Sequence, residues 1–151
     1  MKKVYSMNEW ITTKHVDKFD KYLEKSRLQF EQKFNVQFER YIEVKLLFKE
    51  ELDAQSFYNE LKLNKTAYGH YDVRSADKVN TLYVSGAETL FEFFGDEEPN
   101  LLTASRDLDV DFEIEYRQKY TGIQFTATVI AGELLSRHCV VEYSDILPEL
   151  S

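Results

Sequence analysis

An α+β fold is what this sequence predicts, and three observations carry the prediction. Apolar residues recur every three or four positions between about 14 and 33, the period of a helix lying on a core. From about residue 36 onward, several stretches alternate apolar and polar residues at every step, the period of a half-buried strand. Short helical patterns interleave with those stretches, so strands and helices share one core. The 151 residues suffice for one domain, 1–151, and a 43% apolar fraction with 11 Phe and 10 Tyr supplies a core without staples.

The first element is the helix over about 14–33. Thr12-Thr13 offers its N-cap, and Val16, Phe19, Leu23, Phe30 and Phe34 form its apolar stripe. Lys18, Lys21, Glu24, Lys25 and Glu31 form its solvated face, and the interrupting acids disfavour a polybasic membrane helix. A long strand over about 36–48 comes next, with Val36, Phe38, Ile42, Val44, Leu46 and Phe48 on one face. A helix from near Asp53 carries Leu52, Ala54, Phe57, Tyr58 and Leu61.

Residues 66–73 predict a weaker strand in which Gly69 marks a bulge or a close approach, and 79–85 predict a stronger one ended by Gly86. Residues 87–94 predict a short helix with Leu90, Phe91 and Phe94 buried and Gly95 as its stop; Glu98-Pro99 opens a second helical segment. Residues 107–116 alternate acid with apolar residue at every position, and predict a strand with Leu108, Val110, Phe112, Ile114 and Tyr116 inward. Turns at 120–122 and 131–133 then set off strands over 123–130 and 134–143.

From about 36 to 116 the order is strand, helix, strand, strand, helix, strand, that of a ferredoxin-like βαββαβ unit. An extra helix precedes it, and an antiparallel meander over about 122–143 extends it. The helices then cover one face of the sheet, and the acids occupy the other.

Charge is unevenly placed. Residues 1–49 hold 11 Lys or Arg against 7 Asp or Glu, a balance of +4, and residues 50–151 hold 8 against 20, a balance of -12, which together make the net -8. Such a field repels nucleic acid and anionic membrane and favours basic partners. The sharpest feature is the row Asp107, Asp109, Asp111, Glu113 and Glu115, the candidate partner-binding residues. Side chains two apart on a strand stand roughly 6.6 Å from each other, close to the roughly 6.8 Å of two steps along one DNA strand. A rigid carboxylate row therefore imitates a phosphate backbone. The plain alternative is a solvated outer face, although such faces usually mix signs. A single strand lacks the converging oxygens that Ca²⁺ or Mg²⁺ needs.

Tyr68, His70 and Asp72 are the candidate pocket residues, since on a strand they share a face and a carboxylate there orients an imidazole. His138 and Cys139 are adjacent, so a strand points them to opposite faces, with Cys139 inward. Trp10 and Tyr5 read as a cap on the core or as an exposed anchor. Phosphate-binding glycine loops, a nucleophile elbow, HExxH and paired CxxC are all absent, so no catalytic residue, metal site or cofactor is assigned. The lone Cys139 excludes an internal disulfide, and no stretch reads as a signal peptide or membrane span, so a soluble cytoplasmic protein is expected.

Tyr68-Gly-His-Tyr-Asp-Val73 and the strand after it, with Glu115-Tyr116, Tyr120, Gly122, Phe125 and Gly132-Glu133, are similar in order to motifs of the YubB-like, ferredoxin-like domain family of plasmid and phage proteins. The resemblance covers about 66–133. It implies a ferredoxin-like fold and a mobile-element origin, with no established reaction.

The expectation is therefore a protein-binding module, with no direct contact to nucleic acid or membrane, whose acidic surface inhibits a nucleic-acid-processing or defence enzyme. An immunity protein against a basic toxin would share these features. The competing class is a ligand-binding domain or enzyme with a pocket between sheet and helices. A homodimer through strand 134–143, taken as an edge, is a further expectation.

Overall fold

A computed structural model describes residues 4–7, 13–37, 40–95, 97–118 and 124–142. The elements are β1 (Val4–Met7), α1 (Thr13–Phe34), β2 (Ile42–Phe48), α2 (Glu51–Leu63), α3 (Lys65–Tyr68), β3 (Asp72–Ser75), β4 (Thr81–Ala87), α4 (Leu90–Phe94), α5 (Leu101–Leu108), β5 (Phe112–Arg117), β6 (Gln124–Ile130) and β7 (Glu133–Glu142). The strands form one seven-stranded sheet in the order β1-β7-β6-β5-β2-β4-β3, and every neighbouring pair is antiparallel. The α+β class and the antiparallel sheet agree with the sequence reading.

Alternation decides which face is dry. Ile42, Val44, Leu46 and Phe48 of β2, Phe112, Ile114 and Tyr116 of β5, and Phe125, Ala127 and Val129 of β6 are all buried. Helical rings pack on them. Phe57 of α2 lies 5.3 Å from Phe48 and 5.0 Å from Phe112 between ring centroids, and Phe19 of α1 lies 5.3 Å from Phe125. Phe94 of α4 stacks on Phe125 at 6.5 Å. The helices thus cover one face, and the other holds the alternate polar side chains.

Several boundaries differ from expectation, each for a local reason. The long strand begins at Ile42 rather than at Val36. Asn35 adopts a left-handed φ of 50°, and the Val36 amide donates to the Glu31 carbonyl at 3.2 Å, a Schellman closure of α1. Val36 is therefore exposed, and its apolar character marks a helix end. Leu52, in the first turn of α2, is also left exposed.

Residues 66–73 are not a strand. Lys65–Tyr68 makes one helical turn, with the Tyr68 amide on the Asn64 carbonyl at 2.9 Å, and β3 starts only at Asp72. Gly69 is in the right-handed helical region, so it marks no bulge. The bulge lies in β4, which runs through Gly86 to Ala87. Between Ile42↔Ala87 and Val44↔Val84 the register slips by one residue, and Gly86 has φ +109°. A Cβ there would meet the His70 carbonyl oxygen at 2.5 Å, so glycine fits two constraints at once.

The acidic stretch is the largest correction. Residues 107–111 are not strand: α5 extends to Leu108, Asp109 closes it in the left-handed conformation, and β5 begins at Phe112. Asn100 starts this helix with a capping box, its Oδ1 accepting from the Leu102 and Thr103 amides at 2.9 and 3.2 Å. The corner is then knitted by Ser105, whose hydroxyl donates to the Val110 carbonyl at 2.7 Å.

The short helix α4 starts at Leu90 after the Thr89–Glu92 capping box, three residues later than expected. Phe93 is accordingly buried, and Phe91 is half-buried. The edge expectation for 134–143 also fails, because β1 pairs with β7 from Val4↔Glu142 to Met7↔Cys139 while β6 flanks its other side. Trp10, Tyr120 and Gly122, with the expected 120–122 turn and the first residue of the 123–130 strand, lie outside the described residues, as does the C-terminal end from 143. Among the described residues no helix is long and apolar enough to cross a membrane.

Candidate functional site

The five acids that the alternation aligns are distributed over a corner and a face. Asp107, on the last turn of α5, accepts from Arg106 Nε at 3.3 Å, and the same guanidinium donates to Glu98 at 3.1 Å. Asp109 is the α5 C-cap, and Asp111 accepts from the Ala131 amide at 3.0 Å, tying the corner to the β6–β7 turn. Only Glu113 and Glu115 stand on β5, both on its exposed side.

The open face is not of one sign. One cross-sheet row runs Thr126, Glu115, Lys45, Tyr83, Arg74 through directly opposed partners on β6, β5, β2, β4 and β3. Lys45 pairs with Glu115 at 3.5 Å. Arg74 lies over the Tyr83 ring at 4.2 Å and pairs with Glu43 at 3.1 Å. A shallow groove of about 450 Å³ on this face is lined by Lys45, Tyr83, Glu115, Arg117, Gln124 and Thr126. Glu115 and Glu43 are thus paired with Lys45 and Arg74, Glu113 stands opposite Leu47 and Thr128 with no base directly across from it, and the strand-long acid ladder does not exist. What remains acidic is the α5–β5 corner.

Tyr68, His70 and Asp72 do not form a pocket. Tyr68 is 2% exposed in the core, where burial pushes its hydroxyl up to about 12. His70 is exposed in the turn after α3, its ring 4.0 Å from Tyr71, and Asp72 sits on the open face opposite Ser85. The three occupy three environments.

A cleft between α1 and α4 collects residues that the sequence reading passed over. Asp20 of α1 accepts from the Leu90 and Phe91 amides at 2.7 and 2.9 Å, clasping the start of α4. Burial raises its carboxyl from 3.8 to about 6; those two amides pull the other way, and Asp17 and Glu92 add to the rise. Arg27, 3% exposed, donates to Glu24 at 3.2 Å, and Arg40 donates to Glu24 at 3.0 Å and to Glu31 at 3.2 Å. Tyr116 lies near both charges: burial raises it to about 12, Arg27 opposes the rise and Asp20 adds to it. The sequence did hold a signal. Ser26 and Arg27 fall in the stripe set by Val16, Phe19, Leu23 and Phe30, where polar residues are out of place.

Among the described residues no group of three or more His, Cys, Asp or Glu is placed to hold a metal ion. No family model matches this chain, and neither the curated proteins nor the solved structures provide a match.

Proposed function

We propose that this protein works by binding a basic protein partner through the acidic α5–β5 corner. One observation carries the reading: Asp107, Asp109, Asp111 and Glu113 are all exposed within seven residues of chain, and the base among them in sequence, Arg106, is already engaged by Asp107 and Glu98. Four acids beside a single base that Asp107 shares with Glu98 leave a local excess of negative charge, which on a chain of net charge -8 raises the association rate of a basic partner and selects against anionic ones. The acids follow a corner, so the reading rests on the local field and no longer on phosphate-like spacing.

Its sharper form is a cytoplasmic inhibitor of a nucleic-acid-processing or defence enzyme, encoded by a mobile element, as the resemblance to the YubB-like family suggests. An immunity protein covering a basic toxin would use the same surface. We read the segment from β2 to β5 as ferredoxin-like. The order β5-β2-β4-β3 supports this, because it places the fourth, first, third and second strands of that unit side by side.

Affinity capture from host lysate tests the reading, with the wild type set beside a variant carrying Asp107→Asn, Asp109→Asn, Asp111→Asn and Glu113→Gln. The expected outcome is a basic protein retained by the wild type and lost by the variant. Recovery of the same proteins by a folded variant refutes the corner as the binding surface.

A further inference from the structure

Arg27 occupies a position where the α1 stripe calls for an apolar side chain. Its Nη1 reaches Glu24, yet its Nε has no hydrogen-bond partner among the described residues, and neither has the neighbouring buried Ser26 hydroxyl. An arginine does not shed its proton, so a fixed positive charge stands in the buried stripe of α1. A charge kept in the buried stripe calls for an explanation, and an anionic group in the adjoining cleft is one.

Arg27 lines a cleft of about 340 Å³ together with Asp20, Glu24, Arg40, Glu88 and Thr89, a volume within the range of small-molecule sites. Its charges are of both signs. Glu24 takes one guanidinium on each carboxylate oxygen, Arg27 at 3.2 Å and Arg40 at 3.0 Å, and so holds the two cations side by side. Asp20 is fixed by the α4 amides, and its oxygens retain lone pairs beyond the two they share. Glu88, exposed, stands across from α1 on the segment between β4 and α4.

The geometry points to a site for a small zwitterion of the α-amino-acid class, its carboxylate held by Arg27 and Arg40 and its ammonium by Glu88 and Asp20. A ligand of one charge would satisfy one half of this lining and be opposed by the other, three carboxylates against two guanidiniums. This binding is independent of the acidic corner, since none of its residues belongs to it.

Thermal shift and calorimetric titration with each standard amino acid at about 10 mM test the inference, with acetate and ethylamine as single-charge probes. At 100 times the dissociation constant, a specific ligand raises Tm by roughly 5–10 °C for a domain of this size. The expected result is a rise for one or a few amino acids, absent with acetate and ethylamine, and lost in Arg40→Gln and Glu88→Gln. Both substitutions leave the buried stripe of α1 intact. No amino acid raising Tm by more than about 1 °C, an equal rise with acetate alone, or a rise retained in both variants overturns it.

Discussion

At the scale of single residues, buried and half-buried polar groups mark where this chain departs from a plain core. Asp20, half-buried, is one. Its carboxyl titrates at about 6 in the folded protein against an ordinary 3.8, so the folded state holds the proton more tightly. Its contribution to stability is then full below about pH 4 and lost as pH rises through 6, a swing of about 3 kcal/mol. Chemical denaturation of wild type and Asp20→Asn between pH 4 and 7.5 should show the wild type losing stability relative to the variant as pH rises. A difference independent of pH contradicts the raised titration. Asn100 is another, 1% exposed. Beyond its two cap bonds, its Nδ2 donates to the Gly95 and Glu97 carbonyls at 2.8 and 2.6 Å. Asn100→Ala should therefore cost more than the ~1 kcal/mol of an ordinary cap, about 2 kcal/mol or more. Asn100→Asp keeps the cap but sets a carboxylate against two carbonyls, and should be no better. Neither residue stood out in the sequence, because their partners are backbone groups: for Asp20, those of Leu90 and Phe91, 70 and 71 positions away.

At the scale of elements, legibility followed how far one pattern fits only one structure. The apolar stripe of α1 and the alternation of β6 have a single solution, and both elements formed close to where the spacing places them. The stretch 107–116 has two. Its apolar residues 108 and 110 reach the core from a helix end and a corner as well as from a strand, and the Asn100 cap with the left-handed Asp109 selects the former. The same ambiguity misplaced 66–68, where a helical turn lets both Tyr68 and Tyr71 point inward. The β6–β7 turn was legible as a turn. It uses left-handed φ values of 50° at Ala131 and 83° at Gly132, and a Cβ on Gly132 would stand 2.6 Å from the Arg106 Cβ. Gly132→Ala should then lower stability by roughly 1–3 kcal/mol in urea unfolding. A cost near zero would mean that the turn and α5 do not meet so closely.

At the scale of the whole molecule, the sheet is asymmetric in use: one face is filled by helices, and the other carries paired charges around Tyr83. The surplus of acid sits at the α5–β5 corner, while Lys45 and Arg74 pair with Glu115 and Glu43. The acidic character was legible in the sequence, whereas its placement was not, because pairing across strands distant in sequence decided which acids are compensated. The most direct measurement is the salt dependence of affinity for the captured basic partner, comparing wild type with the four-acid variant between about 50 and 200 mM salt. The account predicts that wild-type affinity falls steeply as salt rises, and that the variant binds at least about tenfold more weakly with a shallower slope. Equal affinity and equal slope in the two proteins would contradict it.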